Sequence, residues 1–94
     1  MNITGVIWQR DIVYKLLWKH GITTDEVEEV FANEPRYKLQ EKGTVKGENL
    51  YTAYGHTDAG RYLTVFFIYK RNHEGLIITA RDMDRKERRR YAKT

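Results

Sequence analysis

Apolar positions along this chain change period several times, and each change marks an element. Ile3, Val6, Ile7 and Trp8 make the opening stretch, Asn2 to Trp8, a short edge strand. From Arg10 the repeat lengthens. Ile12 and Leu16 follow helical spacing, as do Val13 and Leu17, so residues 10–19 form an amphipathic helix. Gly21 stops it, with His20 in its last turn, where partial positive charge suits the helix dipole. A second helix begins at Thr23 or Thr24: Thr23 and Glu26 have capping-box spacing, the first turn is acidic, and Val27, Val30 and Phe31 supply the buried stripe. Pro35 ends it.

Beyond Pro35 the period becomes two. Arg36–Gln40 reads as a short strand, followed by a polar loop from Lys42-Gly43 through Lys46-Gly47. Asn49–Thr57 reads as a strand with Leu50, Thr52 and Tyr54 on one face and Tyr51 and Ala53 on the other. Asp58-Ala59-Gly60 supplies a hairpin turn. Tyr62–Tyr69 is almost continuously apolar, as a strand covered on both faces would be, and Asn72–Gly75 turns the chain into the strand Leu76–Ala80. Asp84 and Glu87 then open a final helix whose only apolar anchors are Met83, Tyr91 and Ala92. The expected class is α+β: an antiparallel sheet of about four strands, two N-terminal helices and a basic C-terminal helix. At 94 residues the chain is expected to be one domain, 1–94.

Charge changes the picture at one end. Residues 81–94 hold seven Lys or Arg against three acids and so carry the entire net charge of +4. A neutral body with a cationic end points to a polyanion or an acidic protein as partner. Arg85, Lys86, Arg88, Arg89 and Arg90, five bases within six residues, are the candidate RNA-binding set, with a solvated helix face as the plain alternative. Tyr51, Tyr54, Tyr62 and Tyr69 offer rings for base stacking, or for packing across strands.

Cysteine is absent, which removes disulfides, thiolate metal sites and thiol nucleophiles and fits a cytoplasmic setting. Serine is absent too, so no Ser-His-Asp triad exists. The three histidines fall in separate segments, no Gly-rich phosphate loop follows a strand, and no metal or cofactor is expected. No apolar run reaches the roughly 18 residues of a membrane span, so no membrane partner is expected.

Arg, Lys, Tyr and imidazole around a sheet suit metal-free phosphodiester chemistry. A base takes the 2′-hydroxyl proton, cations hold the pentacoordinate phosphorus, and an acid protonates the leaving oxygen. Candidate catalytic residues are Arg61, Arg81, His20, His56 and Tyr91. Arg61 opens one strand and Arg81 closes its hairpin partner, so the two guanidiniums are expected to converge on one phosphate.

Taken in order, Lys19-His20-Gly21-Ile22, the acidic helix ending Val30-Phe31, Gly55 through Gly60-Arg61, Ile77 to Arg81 and Glu87 to Tyr91 resemble the BrnT family of bacterial type II toxins. The likeness runs from about Trp8 to Tyr91. It implies a RelE-like fold, an endoribonuclease that blocks translation by cleaving RNA, free or ribosome-bound, and a cognate antitoxin protein as partner. Where the family pattern has Asp, Lys and Asn in the first helix, this chain has Gln9, Ile12 and Leu16. Those substitutions motivate the alternative, a non-catalytic toxin-like module that binds an antitoxin-like protein or nucleic acid.

Overall fold

The computed structural model describes residues 1–45 and 47–93; Lys46 of the polar loop and Thr94 of the basic tail lie outside them. The chain runs β1 (Gly5–Ile7), α1 (Arg10–Lys15), a π-helical segment (Leu16–His20), α2 (Thr24–Ala32), β2 (Arg36–Glu41), β3 (Asn49–His56), β4 (Tyr62–Tyr69), β5 (Glu74–Asp82) and α3 (Arg85–Lys93).

The sheet has five strands in the order β1-β5-β4-β3-β2, one more than expected, and it is mixed. Leaving β1, the chain crosses the sheet through α1 and α2, then returns strand by strand. β5 therefore arrives beside β1 running parallel to it, with Gly5 opposite Glu74 and Ile7 opposite Leu76. The remaining pairs are antiparallel.

The first helix also differs from expectation. It is α-helical only to Lys15 and widens into the π segment before Gly21 takes a left-handed φ of 61°. The Ile22 amide donates back to the Leu16 carbonyl at 3.0 Å, which seats both side chains in the core. α2 has the expected capping box: the Glu26 amide donates to Thr23 Oγ1, and the Thr23 amide donates to Glu26 Oε1 at 3.0 Å. α3 has its own. The Glu87 amide donates to Asp84 Oδ1 at 2.8 Å, and the Asp84 amide donates to Glu87 Oε1 at 2.9 Å.

The core lies between one sheet face and α1–α2. Leu16, Ile22, Val27 and Val30 meet Ala53, Leu63, Val65, Phe67, Ile77 and Ala80, all buried. Phe67 sits at its centre, with the Phe31, Tyr37 and Tyr51 rings within 6.0 Å. Two of the four tyrosines offered for stacking, Tyr51 and Tyr69, thus pack against the core instead, as does Tyr37 of β2. Gly55 lets the sheet approach α2 closely: a Cβ there would lie 3.0 Å from Val30 Cγ1.

One irregularity decides which face Arg81 occupies. Phe67 pairs with Ile77, but Phe66 pairs with Thr79, so β5 holds an extra residue, Ile78. Such a bulge reverses the alternation of faces beyond it. Arg81 therefore lies opposite Thr64, on the face away from the core, while Asp82 lies opposite Leu63 on the core-side face.

Candidate nucleic-acid interface

The register stacks Arg36, Tyr54, Thr64 and Arg81 in one row across β2, β3, β4 and β5. Side chains alternate along strands, so this row projects from the face opposite α1 and α2. Lys38 and Thr52 belong to the next row on that face. α3 lies over it, and between helix and sheet opens a pocket of about 420 Å³ lined by Arg36, Lys38, Tyr54, Glu87, Arg90, Tyr91 and Lys93. Four cations, two phenol rings and one carboxylate make a wall suited to a phosphate and a base.

The carboxylate is already engaged. Arg81 grips Glu87 through two hydrogen bonds of 2.6 and 2.8 Å, and Thr64 Oγ1 donates to the same carboxylate at 3.1 Å. Burial pushes the Glu87 carboxyl upward, but the Arg81 fork, the Asp84 amide and the Thr64 hydroxyl outweigh it and hold it below the usual range. The Glu87 bond, in turn, raises the Arg81 guanidinium above its ordinary value. The Arg81 guanidinium also lies 5.6 Å from the Phe66 ring centroid. Glu87 is thus a clamp that aims Arg81, and a poor proton acceptor.

Tyr91 anchors the outer end of the site. Its ring meets Tyr62 at 5.8 Å and His56 at 6.5 Å, with the Arg36 guanidinium 5.7 Å from its centroid. Arg88 covers Tyr62 at 4.4 Å. His56 Nδ1 lies 3.0 Å from the Thr57 carbonyl, which only accepts; the proton therefore sits on Nδ1 and leaves Nε2 as the acceptor in the neutral ring.

The sequence-predicted residues divide into two groups. Arg81, His56, Tyr91 and Arg90 share the α3 face, with Arg88 beside them. Arg85, Lys86 and Arg89 are exposed on α3. Arg61 and His20 belong to the other side. The Arg61 guanidinium bonds Asp82 at 2.8 and 3.1 Å, Glu26 at 3.3 Å, and the carbonyls of His20 and Gly21 at 2.9 Å each. The Asp82 bond raises the Arg61 guanidinium and lowers the Asp82 carboxyl. The expected convergence of Arg61 and Arg81 on one phosphate does not occur. They sit on opposite faces, each held by a carboxylate, because the bulge at Ile78 turns Arg81 away.

Arg36, Lys38 and Lys93 are pocket residues that sequence reasoning did not single out, and Glu87 was read there only as part of a helix cap. The alternation of Arg36 and Lys38 on β2 was the available signal; their position beside Tyr54 depends on a nonlocal register. Gln9, Ile12 and Leu16 lie elsewhere. Leu16 is in the core, Ile12 packs against it, and the Gln9 carbonyl accepts from Ile12 and Val13 at the start of α1. Among the described residues, no three His, Asp or Glu side chains gather as a metal-binding group, and no helix is long and apolar enough to cross a membrane.

A family model described as "Ribonuclease toxin, BrnT, of type II toxin-antitoxin system" matches residues 8–87. The match takes in both rows of the sheet, Arg81 and Glu87, and ends before Arg88. No curated protein matches the chain.

Proposed function

Since the chain belongs to the BrnT family of ribonuclease toxins of type II toxin–antitoxin systems, we propose that it cleaves RNA in the cationic pocket between α3 and the open face of the sheet. The observation that carries this reading is the row Arg36–Tyr54–Thr64–Arg81 facing Arg90, Tyr91 and Lys93 of α3. One phosphodiester held against Arg36, Lys38 and Arg81 would find its developing charge surrounded by fixed cations. Tyr54 and Tyr91 offer ring faces for the flanking bases.

In the proposed reaction the 2′-oxygen attacks phosphorus, the bond to the 5′-oxygen breaks, and a 2′,3′-cyclic phosphate forms. His56 Nε2 takes the 2′-hydroxyl proton. The Tyr54 hydroxyl, two residues along the same strand face, returns a proton to the departing 5′-oxygen. The two side chains project from neighbouring positions on that face, one for each side of an in-line displacement. The reading is metal-independent, acts on messenger RNA free or on the ribosome, and blocks translation in the cytoplasm until a cognate antitoxin neutralises it. The non-catalytic alternative was motivated by Ile12 and Leu16. Both are packing residues remote from the pocket, which supports the enzymatic reading.

The test is incubation of the purified protein in EDTA with RNA and with translating ribosomes. Wild type is expected to leave cyclic-phosphate ends, and Arg81→Ala and His56→Ala to lower the rate at least ~100-fold. RNA retained intact by wild type in both settings would refute the proposal.

A further inference from the structure

Three large apolar side chains stand in solvent together on the outside of the first helix. Tyr14 is 62% exposed, Leu17 56% and Trp18 84%. Tyr14 near the end of α1 and Leu17 and Trp18 in the π segment are exposed within five residues of one another, while Leu16 among them turns into the core. None of them belongs to the buried core, and an exposed cluster of this kind marks a surface that something else covers. Tryptophan and tyrosine are also the residues that most often dominate protein interfaces.

The rim identifies the occupant. Arg10, Lys15 and Lys19 are exposed around the cluster, against one acid, Asp11. A ligand that matches this face is apolar at its centre and carboxylate-rich at its edges. A protein segment fits better than RNA, because Leu17 is one of the three exposed side chains and offers no stacking face. The cationic pocket for RNA also lies across the sheet. We infer that Tyr14, Leu17 and Trp18 form the docking surface for the antitoxin, which covers them with the apolar side of an amphipathic segment whose Asp and Glu residues pair with Arg10, Lys15 and Lys19. This inference rests on the toxin–antitoxin reading. It adds that anchoring of the antitoxin is physically separate from the RNA site.

The test uses the tagged full chain co-expressed with the untagged protein encoded by the reading frame adjacent to its own gene, followed by affinity capture and titration calorimetry. Wild type is expected to retain that protein. Trp18→Glu and Leu17→Glu should raise Kd at least ~30-fold, the scale of an interfacial hot spot. Trp18→Phe should restore most of the affinity, and Lys38→Glu, in the pocket, should leave capture intact. Because Trp18 is 84% exposed, its variants should melt within a few degrees of wild type and cleave RNA at the wild-type rate. Unchanged Kd in Trp18→Glu would overturn the inference while leaving the pairing of toxin and antitoxin standing. So would loss of RNA binding in that variant, or a wild-type dimer that Trp18→Glu makes monomeric without affecting capture. Failure of wild type to hold the neighbouring product removes the pairing and this surface with it, whereas the cleavage assay judges the ribonuclease reading separately.

Discussion

Arg61→Ala tests whether this arginine serves folding or chemistry. Its guanidinium ties the turn before β4 to β5 through Asp82, to α2 through Glu26, and to the end of the first helix through the His20 and Gly21 carbonyls. The two bonds to carbonyls contribute about 0.5–1.5 kcal/mol each, at the low end here because water can replace the lost donor. The Asp82 side chain is 61% exposed, so that pair is screened and adds at most ~1 kcal/mol; the Glu26 pair is of similar scale. A total loss of about 2 kcal/mol follows, which at this chain length lowers Tm by roughly 8–16 °C. Arg61→Lys should recover little, because one ammonium cannot bridge three elements as the planar fork does. The assay pairs thermal melting by circular dichroism with RNA cleavage measured well below the variant's midpoint and scaled to folded protein. The expected outcome is a lower Tm with cleavage per folded molecule near wild type. An unchanged Tm with cleavage abolished would place Arg61 in the chemistry and refute the division of the two faces.

Particular contacts set three more outcomes. Glu87 and Asp82 both hold carboxyl pKa values lowered by their arginines, so their stabilisation is complete above the unfolded values near 4 and is lost as pH falls through the lower folded ones. Melting from pH 6 to 3 should show this fall, and Glu87→Gln should flatten it. Lys38→Glu should weaken RNA binding across sequences and reduce the slope of log K against log salt by about 1, read by titration over a salt series. Gly55→Ala should cost about 1–3 kcal/mol in urea unfolding, because the added methyl meets Val30 Cγ1 at 3.0 Å and Pro35 Cβ at 3.1 Å.

What was legible in the sequence was local. Both capping boxes, the stop at Gly21 and the hairpin turn at Asp58–Gly60 each depend on residues a few positions apart, and the structure shows them where the spacing put them. The basic character of α3 was equally plain. The site itself depended on register. Had Ile78 paired with Phe66 in unbroken register, Arg81 would lie opposite Leu63 and share the core side with Arg61, as the hairpin alone suggested; the one-residue bulge inverted that outcome. The parallel pairing of β1 was likewise hidden, because it joins residues about 70 positions apart and needs two helices to carry the chain across. Nor does periodicity distinguish the α from the π winding that leaves Leu17 and Trp18 outside.

Among the described residues α3 contributes no buried side chain; its attachments include the Glu87 clamp, the rings around Tyr91 and the Arg88 cover over Tyr62. Lifting it uncovers none of the core formed with α1 and α2, so the roof of the cationic pocket is held with less free energy than its floor. Amide exchange in residues 85–93 should therefore run ahead of exchange in β3 and β4, at rates set by this helix alone. If the pocket takes RNA as proposed, a strand would enter between a loosely held helix and a firmly held sheet.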